Sequence, residues 1–168
     1  MKPPDSTDGN TAQPQRPVVV GVGNLLMGDE GIGVRLAQLL QGYESLPADV
    51  YELGTGVSGL MSILPNRGLA LILDCVYMGE PPGSLVWFTA EQVRDRKEQL
   101  RWSLHHGSIL ESLELIQRLG CAPRRLLIGG IQPLSVKPGL GLSPLLEGKL
   151  EEYARLVVKR LVREEEGR

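Results

Sequence analysis

The sequence predicts one α/β domain of three layers, α/β/α, in which helices cover both faces of a twisted, mostly parallel sheet of about five strands. The strand signal comes from short apolar runs at 18–20, 69–73 and 125–131. Strands buried on both faces are continuously apolar in this way. Helical patterns separate the runs, and this alternation is typical of parallel sheets with crossover helices.

Composition limits the classes of protein to consider. A chain of 168 residues with 42% hydrophobic residues suits one buried core, and its formal net charge of −2 offers no basic face for nucleic acid. It contains no run of about 20 apolar residues, so we expect no membrane insertion. Cys75 and Cys121 are far apart and form neither a disulfide framework nor a zinc motif. Such cysteine usage suits a reducing compartment, so we expect a cytoplasmic protein. We also expect a monomer.

The chain divides into three parts by composition. Residues 1–16 are polar and rich in proline and aspartate, without the apolar core of a signal peptide. We expect them to form a disordered lead-in. Residues 17–163 form the domain, and residues 164–168 form a charged, solvated C-terminal tail.

The first strand-and-helix unit organises the domain. After the run at 18–20, Gly21 and Gly23 allow a sharp turn, and the acidic pair Asp29-Glu30 follows. A helix is predicted next, since apolar residues recur at helical spacing at Ile32, Leu36, Leu39, Leu40 and Tyr43.

The next unit repeats this order. Residues 48–53 read as a second strand and residues 58–64 as a short helix that ends at Pro65. The third strand covers Leu69 to Leu73, and Asp74 follows directly at its end.

The second half continues with an edge strand at 84–89, which an antiparallel arrangement would suit, and a charged surface helix at 91–100. The pattern S-x-x-E at Ser108 to Glu111 predicts a capping box that opens the next helix. Its buried face would carry Ile109, Leu113, Ile116 and Leu119, and Gly120 would end it.

The last unit contains the strand at 125–131, a loop rich in proline and glycine at 132–142, and a final helix. Ser143 followed by Pro144 predicts the start of that helix. Its buried residues would be Leu146, Leu150, Tyr153, Val157 and Leu161. The loops at 76–83 and 132–142 border the carboxyl edge and are candidates for partner specificity.

A dinucleotide site is the first chemistry to weigh. G-V-G-N-L-L begins as the fingerprint G-x-G-x-x-G does, and Glu52 lies where an acid that binds ribose would stand. Leu26, however, replaces the third glycine, and Asp29 and Glu30 would repel a pyrophosphate. These two features argue against nucleotide binding.

A cluster of two acids and a histidine is the second candidate. Glu30 follows strand one, Asp74 follows strand three, and His105 precedes a helix. The carboxyl ends of parallel strands share one edge, so we expect Glu30 and Asp74 to approach each other and His105 to join them. Such a set suits a first-row divalent cation or acid–base chemistry. The plainer alternatives are helix capping by the acids, a loop cap at Asp74 and a simple polar contact for the histidine.

A cysteine nucleophile is the third candidate. Cys75 adjoins Asp74, and histidines are present elsewhere in the chain. A cysteine at the end of an apolar strand is more often buried and inert, so this alternative ranks below the acidic cluster.

The motifs together resemble those of the nickel–iron (NiFe) hydrogenase maturation proteases. The resemblance rests on the stretches G-V-G-N-L-L-M-G-D-E-G-I-G-V-R at 21–35, E-L-G-T-G-V-S-G-L at 52–60, L-I-L-D-C-V at 71–76, S-L-H-H-G-S-I-L-E-S-L at 103–113, L-I-G-G-I-Q-P at 127–133 and G-L-G-L-S-P at 139–144. They occur in the family's order and leave only residues 1–16 and the acidic tail outside. The family fold agrees with the α/β prediction.

The resemblance implies a function and a site. These endopeptidases remove a C-terminal peptide from the hydrogenase large-subunit precursor after nickel insertion. Their metal site of glutamate, aspartate and histidine corresponds to Glu30, Asp74 and His105, with the adjacent His106 as the alternative histidine. Asp29 would be a helix cap or would support a ligand.

The implied cofactor is nickel carried by the precursor, although another divalent metal could occupy the site in vitro. The chain contains neither H-E-x-x-H nor the paired motifs of pepsin-like enzymes. The alternative function is a chaperone that senses the metal and binds the precursor without cutting it.

Overall fold

The computed structural model describes residues 16–96, 101–102 and 106–167, with side chains described for 16–96 and 109–167. The strands in these ranges are β1 (Val18–Val22), β2 (Asp49–Gly54), β3 (Leu69–Tyr77), β4 (Leu85–Thr89), β5 (Arg101–Trp102) and β6 (Arg125–Ile131). The helices are α1 (Ile32–Gln41), α2 (Leu60–Ile63), α3 (Ala90–Asp95), α4 (His106–Arg118), α5 (Pro144–Glu147) and α6 (Leu150–Glu166). Two 3-10 turns, Gly28–Gly31 and Val57–Gly59, precede α1 and α2.

The strands form one mostly parallel sheet in the order β2-β1-β3-β6-β4, and β5 pairs with the end of β3. The pairs β1–β2, β1–β3 and β3–β6 are parallel, whereas β4 lies antiparallel to β6 at the edge. The predicted fold class and the antiparallel edge strand are both confirmed.

The strand order reverses between β1 and β3. From β1 the chain moves outward to β2 and then crosses to β3 on the other side of β1, where β6 and β4 lie farther out. In open α/β sheets, ligands bind at the carboxyl ends of the strands where the order reverses. The fold therefore directs attention to the residues that follow β1 and those near the end of β3.

Each face of the sheet has its own hydrophobic core. One core joins β3 side chains such as Leu71 and Leu73 to α1 and α6. The other joins Ala70 and Ile72 to α2 and α4. Alternate residues of a strand point to opposite faces, so the continuous apolar runs are explained by helices on both sides.

Two glycines let α1 lie unusually close to the sheet. A Cβ atom on Gly33 would stand 2.2 Å from the carbonyl oxygen of Leu73 and 2.4 Å from that of Val22. One on Gly21 would stand 2.2 Å from the carbonyl oxygen of Gly33. The start of α1 is therefore fixed over the adjacent ends of β1 and β3.

Strand β3 is longer than predicted. It does not end before Asp74 but continues to Tyr77, because Asp74 pairs in register with Gly130 of β6 and Val76 pairs with Trp102 of β5. The pairing with β1, in contrast, stops at Leu73. Asp74 is therefore the first β3 residue beyond the pairing with β1.

Helix α4 differs from the prediction at its start. It begins at His106, so the capping box predicted at Ser108 is wrong, and Ser108 lies in the first turn. Leu119, expected on the buried face, is 62% exposed. The predicted end is confirmed: Gly120 has a φ of 70°, and the amides of Gly120 and Cys121 donate to the carbonyls of Gln117 and Ile116 in a Schellman motif.

The C-terminal acidic run also differs from the prediction. Ser143 caps α5 as expected, and the final helix α6 then continues through Glu166. Glu164 is only 6% exposed and pairs with Arg125 and Arg160. Because its side chain is buried and paired, Glu164 belongs to the packed domain and not to a solvated tail.

Candidate active site at the carboxyl edge of the sheet

Glu30 lies in the 3-10 turn that connects β1 to α1 and is 2% exposed. The Glu30 carbonyl accepts a hydrogen bond from the amide of Asn24 and lies directly against Gly23. A Cβ atom on Gly23, whose φ is 139°, would stand 2.1 Å from this carbonyl oxygen. Gly23 is thus required for the backbone position of Glu30.

Asp74 approaches the same point from β3 and is fully buried. Its place in the strand alternation puts it on the face shared by Ile72 and Val76, towards α2 and α4. The Asp74 Oδ1 atom accepts a 2.7 Å hydrogen bond from the amide of Cys75. The carboxylate therefore has a fixed position just past the last pair of β1 and β3.

Cys75, next to Asp74 in β3, lies in the electrostatic field of the nearby acids. Burial raises the pKa of this thiol, and the negative charges of Asp74, Glu30 and Asp29 raise it further. The 3-10 turn carrying Asp29 and Glu30 also packs against β3. Glu30 and Asp74 are therefore buried on neighbouring elements at the carboxyl edge of the sheet, and Asp29 adds a third acid to the field at Cys75.

Asp29 has a structural role at this edge. Its Oδ2 atom accepts hydrogen bonds from the amides of Leu134 (2.9 Å) and Ser135 (3.0 Å), and its Oδ1 atom accepts one from Ser143 (2.6 Å). The helix cap predicted for Asp29 is not formed: neither the 3-10 turn nor α1 has a side-chain cap. Asp29 instead anchors the loop at 132–143 beside Glu30.

The predicted histidine ligand, His105, lies outside the described residues. His106 is described only as the first residue of α4, and α4 packs beside the face that carries Asp74. Among the described side chains, no group of three His, Cys, Asp or Glu residues could hold a metal ion. The structure places two of the three predicted ligands, Glu30 and Asp74, at the same edge of the sheet.

The geometry does not suit a cysteine nucleophile. Cys75 is 1% exposed, and its raised pKa keeps the thiol protonated at neutral pH. A nucleophilic cysteine needs the opposite, an accessible thiolate in a positive field.

A cleft runs from the carboxyl edge along the face that carries α4. It has a volume of about 460 Å³ and lies between the segment 55–61 and α4. Its lining includes Thr55 and Gly56, just after β2, together with Glu111 and Leu115 of α4. Another cleft, of about 410 Å³, lies between α3 and α4, and the lining of neither cleft includes Glu30 or Asp74.

The fold and site together define a doubly wound α/β protein with buried carboxylates at the point where the strand order reverses. The hydrogenase maturation protease family (HycI) matches residues 34–160 of this chain. The chain belongs to this family of peptide hydrolases.

Relatives of known name agree. The chain is 31% identical over 142 residues to the hydrogenase expression/formation protein HupD of Rhodobacter capsulatus, covering 83% of this chain and 68% of HupD. It is 31% identical over 149 residues to the hydrogenase 2 maturation protease of Escherichia coli K12, covering 87% and 90%.

A solved structure supports both fold and family. The hydrogenase maturating endopeptidase HybD from E. coli superposes with a TM-score of 0.79 at 28% identity, covering 88% of this chain and 93% of HybD. In the described residues, no helix is long and apolar enough to cross a membrane.

Sequence reasoning missed the residues that hold the site in place. Gly33 was seen only as part of a motif, and the three partners of Asp29 lie 105, 106 and 114 residues away in the chain. The one available signal was the G-x-G spacing at Gly31 and Gly33, which is unfavourable in a helix start unless a close approach requires it.

Proposed function

We propose that this protein removes the C-terminal peptide of a nickel-loaded NiFe hydrogenase large-subunit precursor. Family membership supports peptide hydrolysis in hydrogenase maturation. The observation that supports the finer proposal is the burial of Glu30 and Asp74 at one edge of the sheet, Glu30 in the turn after β1 and Asp74 just past the last β1–β3 pair. Carboxylates held in this way favour a cation brought by the substrate.

In this proposal Glu30, Asp74 and a histidine contact the nickel carried by the precursor. His105 is the first choice for the histidine because it fits the S-x-H spacing of the family motif. The adjacent His106, the first residue of α4, is the second choice. Two carboxylates and an imidazole are suitable ligands for a first-row divalent cation. Recognition of the nickel would make cleavage depend on correct metal loading.

The reaction is the hydrolysis of one peptide bond. The nickel polarises the scissile carbonyl, and a site carboxylate accepts a proton from the attacking water. The new carbon–oxygen bond replaces the carbon–nitrogen bond, and the proton passes to the departing amine. The cleft beside α4 offers an extended peptide a place next to the carboxyl edge.

The setting we propose is the cytoplasm. Both cysteines, Cys75 and Cys121, are free thiols, as a reducing compartment favours. The proposed partner is the precursor, with the protease itself acting as a monomer.

The test is to incubate the purified protein with nickel-loaded precursor and to measure the mass of the products. Loss of a C-terminal peptide from the precursor supports the proposal. Binding with an unchanged precursor mass would contradict it and support the alternative, a chaperone that senses the metal and does not cut.

A further inference from the structure

Four exposed leucines lie in the two loops next to Glu30. They are Leu25 (37% exposed), Leu26 (65%), Leu134 (52%) and Leu140 (83%), and we call them the leucine rim. They account for four of the 11 large hydrophobic residues that are exposed in the described part of the chain. Single exposed leucines are ordinary, whereas a group of them at one place marks an interaction surface.

The two loops of the leucine rim are joined by backbone hydrogen bonds. The amide of Gly28 donates to the carbonyl of Gly139 (3.0 Å), and the amide of Gly139 donates to the carbonyl of Leu26 (2.9 Å). The Asp29 carboxylate adds its hydrogen bonds from Leu134 and Ser135. The leucines are therefore presented by one connected framework.

Local turns hold the first loop in the same way. The side chain of Asn24 accepts a hydrogen bond from the amide of Leu26 (3.0 Å), and the amide of Met27 donates to the carbonyl of Asn24 (3.1 Å). A surface that is ordered before binding loses less conformational entropy when a partner docks. Leu25 and Leu26 are thus exposed on a loop whose backbone is held in place by hydrogen bonds.

The leucine rim is continuous with the candidate active site. The Cα of Leu25 lies so close to Gly31, the residue after Glu30, that a Cβ there would stand 3.1 Å from it. Asp29, beside Glu30, anchors the second loop. A folded protein whose metal reaches Glu30 and Asp74 from above the carboxyl edge would cover these loops as well.

We propose that the leucine rim is the docking surface for an apolar patch of the hydrogenase large-subunit precursor beside its nickel site. This inference rests on the proposed function for the identity of the occupant. Docking at the rim sets the affinity for the precursor, while Glu30 and Asp74 act on the metal and the scissile bond. Burying these exposed leucines against an apolar patch removes apolar surface from water and so stabilises the complex.

The test compares binding of the nickel-loaded precursor by two variants made in the inactive background Glu30→Gln, where cleavage cannot intervene. The rim variant carries Leu26→Ser and Leu140→Ser. The matched control carries Leu119→Ser, since Leu119 is 62% exposed but lies at the far end of α4. We expect the rim variant to weaken the Kd at least roughly tenfold and the control to leave it unchanged.

Equal precursor Kd values for the rim variant and the control would overturn the proposal. So would a wild-type dimer that the rim substitutions convert to monomer in sedimentation experiments, because the occupant would then be a second copy of the chain. If wild-type protein binds the precursor through the rim but never shortens it, the proposed protease function fails while the docking surface stands. Matching melting temperatures for all variants confirm that each is folded.

Discussion

The two edges of the sheet handle buried charge in different ways. At the amino edge, acids pair with arginines: Glu164 meets Arg125 and Arg160, and Asp49 meets Arg67. At the carboxyl edge, Asp29 is held by three backbone amides, and its negative charge joins those of Glu30 and Asp74 in the field felt by Cys75.

This difference separates acids held by ion pairs from an acid held by backbone amides. An ion pair neutralises its carboxylate within the fold, so the amino edge is electrostatically balanced. Hydrogen bonds from backbone amides fix a carboxylate without cancelling its charge. The same substitution should therefore have different consequences at the two edges.

The largest effect on cleavage is expected for substitutions of the proposed ligands, Glu30 and Asp74. Glu30→Gln or Asp74→Asn should lower the rate of precursor cleavage by roughly a hundredfold or more, because each removes a charge aimed at the metal. Both variants should remain folded, because each substitution keeps the size and shape of the buried side chain. Rates from product masses and thermal unfolding measure both effects.

Glu164→Gln is the matched control at the amino edge. It breaks the ion pairs with Arg125 and Arg160, and it should cost about 1–2 kcal/mol of unfolding free energy because Arg125 is more than half exposed. Cleavage by the folded protein should be unchanged. A Glu30→Gln variant that cleaves as fast as Glu164→Gln would contradict the distinction between the edges.

Asp29→Asn should have the next largest effect. The amide can offer only one acceptor oxygen to the three backbone N–H groups, and we expect a loss of about 2–3 kcal/mol in unfolding free energy. The KM for the precursor should rise more than kcat falls, because the loop at 132–143 loses its anchor.

Asp49→Asn provides the comparison. It weakens the 2.5 Å contact with Arg67 and should lower stability while leaving the KM for the precursor as in wild type. If both aspartate variants changed KM alike, the effect of Asp29 would be a general consequence of lower stability.

Gly33→Ala tests the close contact of α1 with the sheet. The added methyl group meets the carbonyl oxygens of Leu73 and Val22, and we expect a loss of about 1–3 kcal/mol together with slower cleavage as Glu30 moves. Gly42→Ala, at the other end of α1, meets only the Leu39 carbonyl oxygen at 3.3 Å and has a φ of −77°. It should leave cleavage unchanged; equal losses in the two variants would contradict the account.

The smallest effect is expected at the cysteines. Burial and the three carboxylates raise the pKa of the Cys75 thiol, so native protein at pH 8.5 should react with iodoacetamide at Cys121 and not at Cys75. Denatured protein should react at both. Cys75→Ala should retain cleavage; loss of cleavage without loss of folding would revive a thiol mechanism.

The raised pKa of Cys75 also makes the stability of the folded protein depend on pH. The folded state favours the neutral thiol, so its contribution is complete below the ordinary thiol pKa and is lost as the pH rises above that value. Unfolding free energy should therefore decline with rising pH in the alkaline range, and Cys75→Ala should reduce this decline.

Local patterns predicted most of the fold. The apolar run of β6 and the cap at Ser143 with Pro144 were predicted where the structure has them, because strand burial and helix capping depend on neighbouring residues. The start of α4 was misplaced by three residues, from Ile109 to His106, since S-x-x-E at Ser108 is also compatible with a position inside the first turn.

Features that depend on distant partners were not predictable in this way. The burial of Glu164 requires Arg125, and the extension of β3 past Asp74 requires pairing with β5 and β6. The placement of Glu30 and Asp74 at one edge was predictable nevertheless, because a parallel sheet puts the carboxyl ends of its strands at the same edge. The histidine that would join them stays a prediction.

The most direct test of the central claim is the ratio of cleavage rates for nickel-loaded and nickel-free precursor, measured with the wild-type protein. The account predicts rapid shortening of the loaded precursor and little or no shortening of the nickel-free form, with both rates near zero for Glu30→Gln and Asp74→Asn. Equal cleavage of the two precursor forms by the wild-type protein would contradict the claim that these carboxylates recognise the nickel of the substrate.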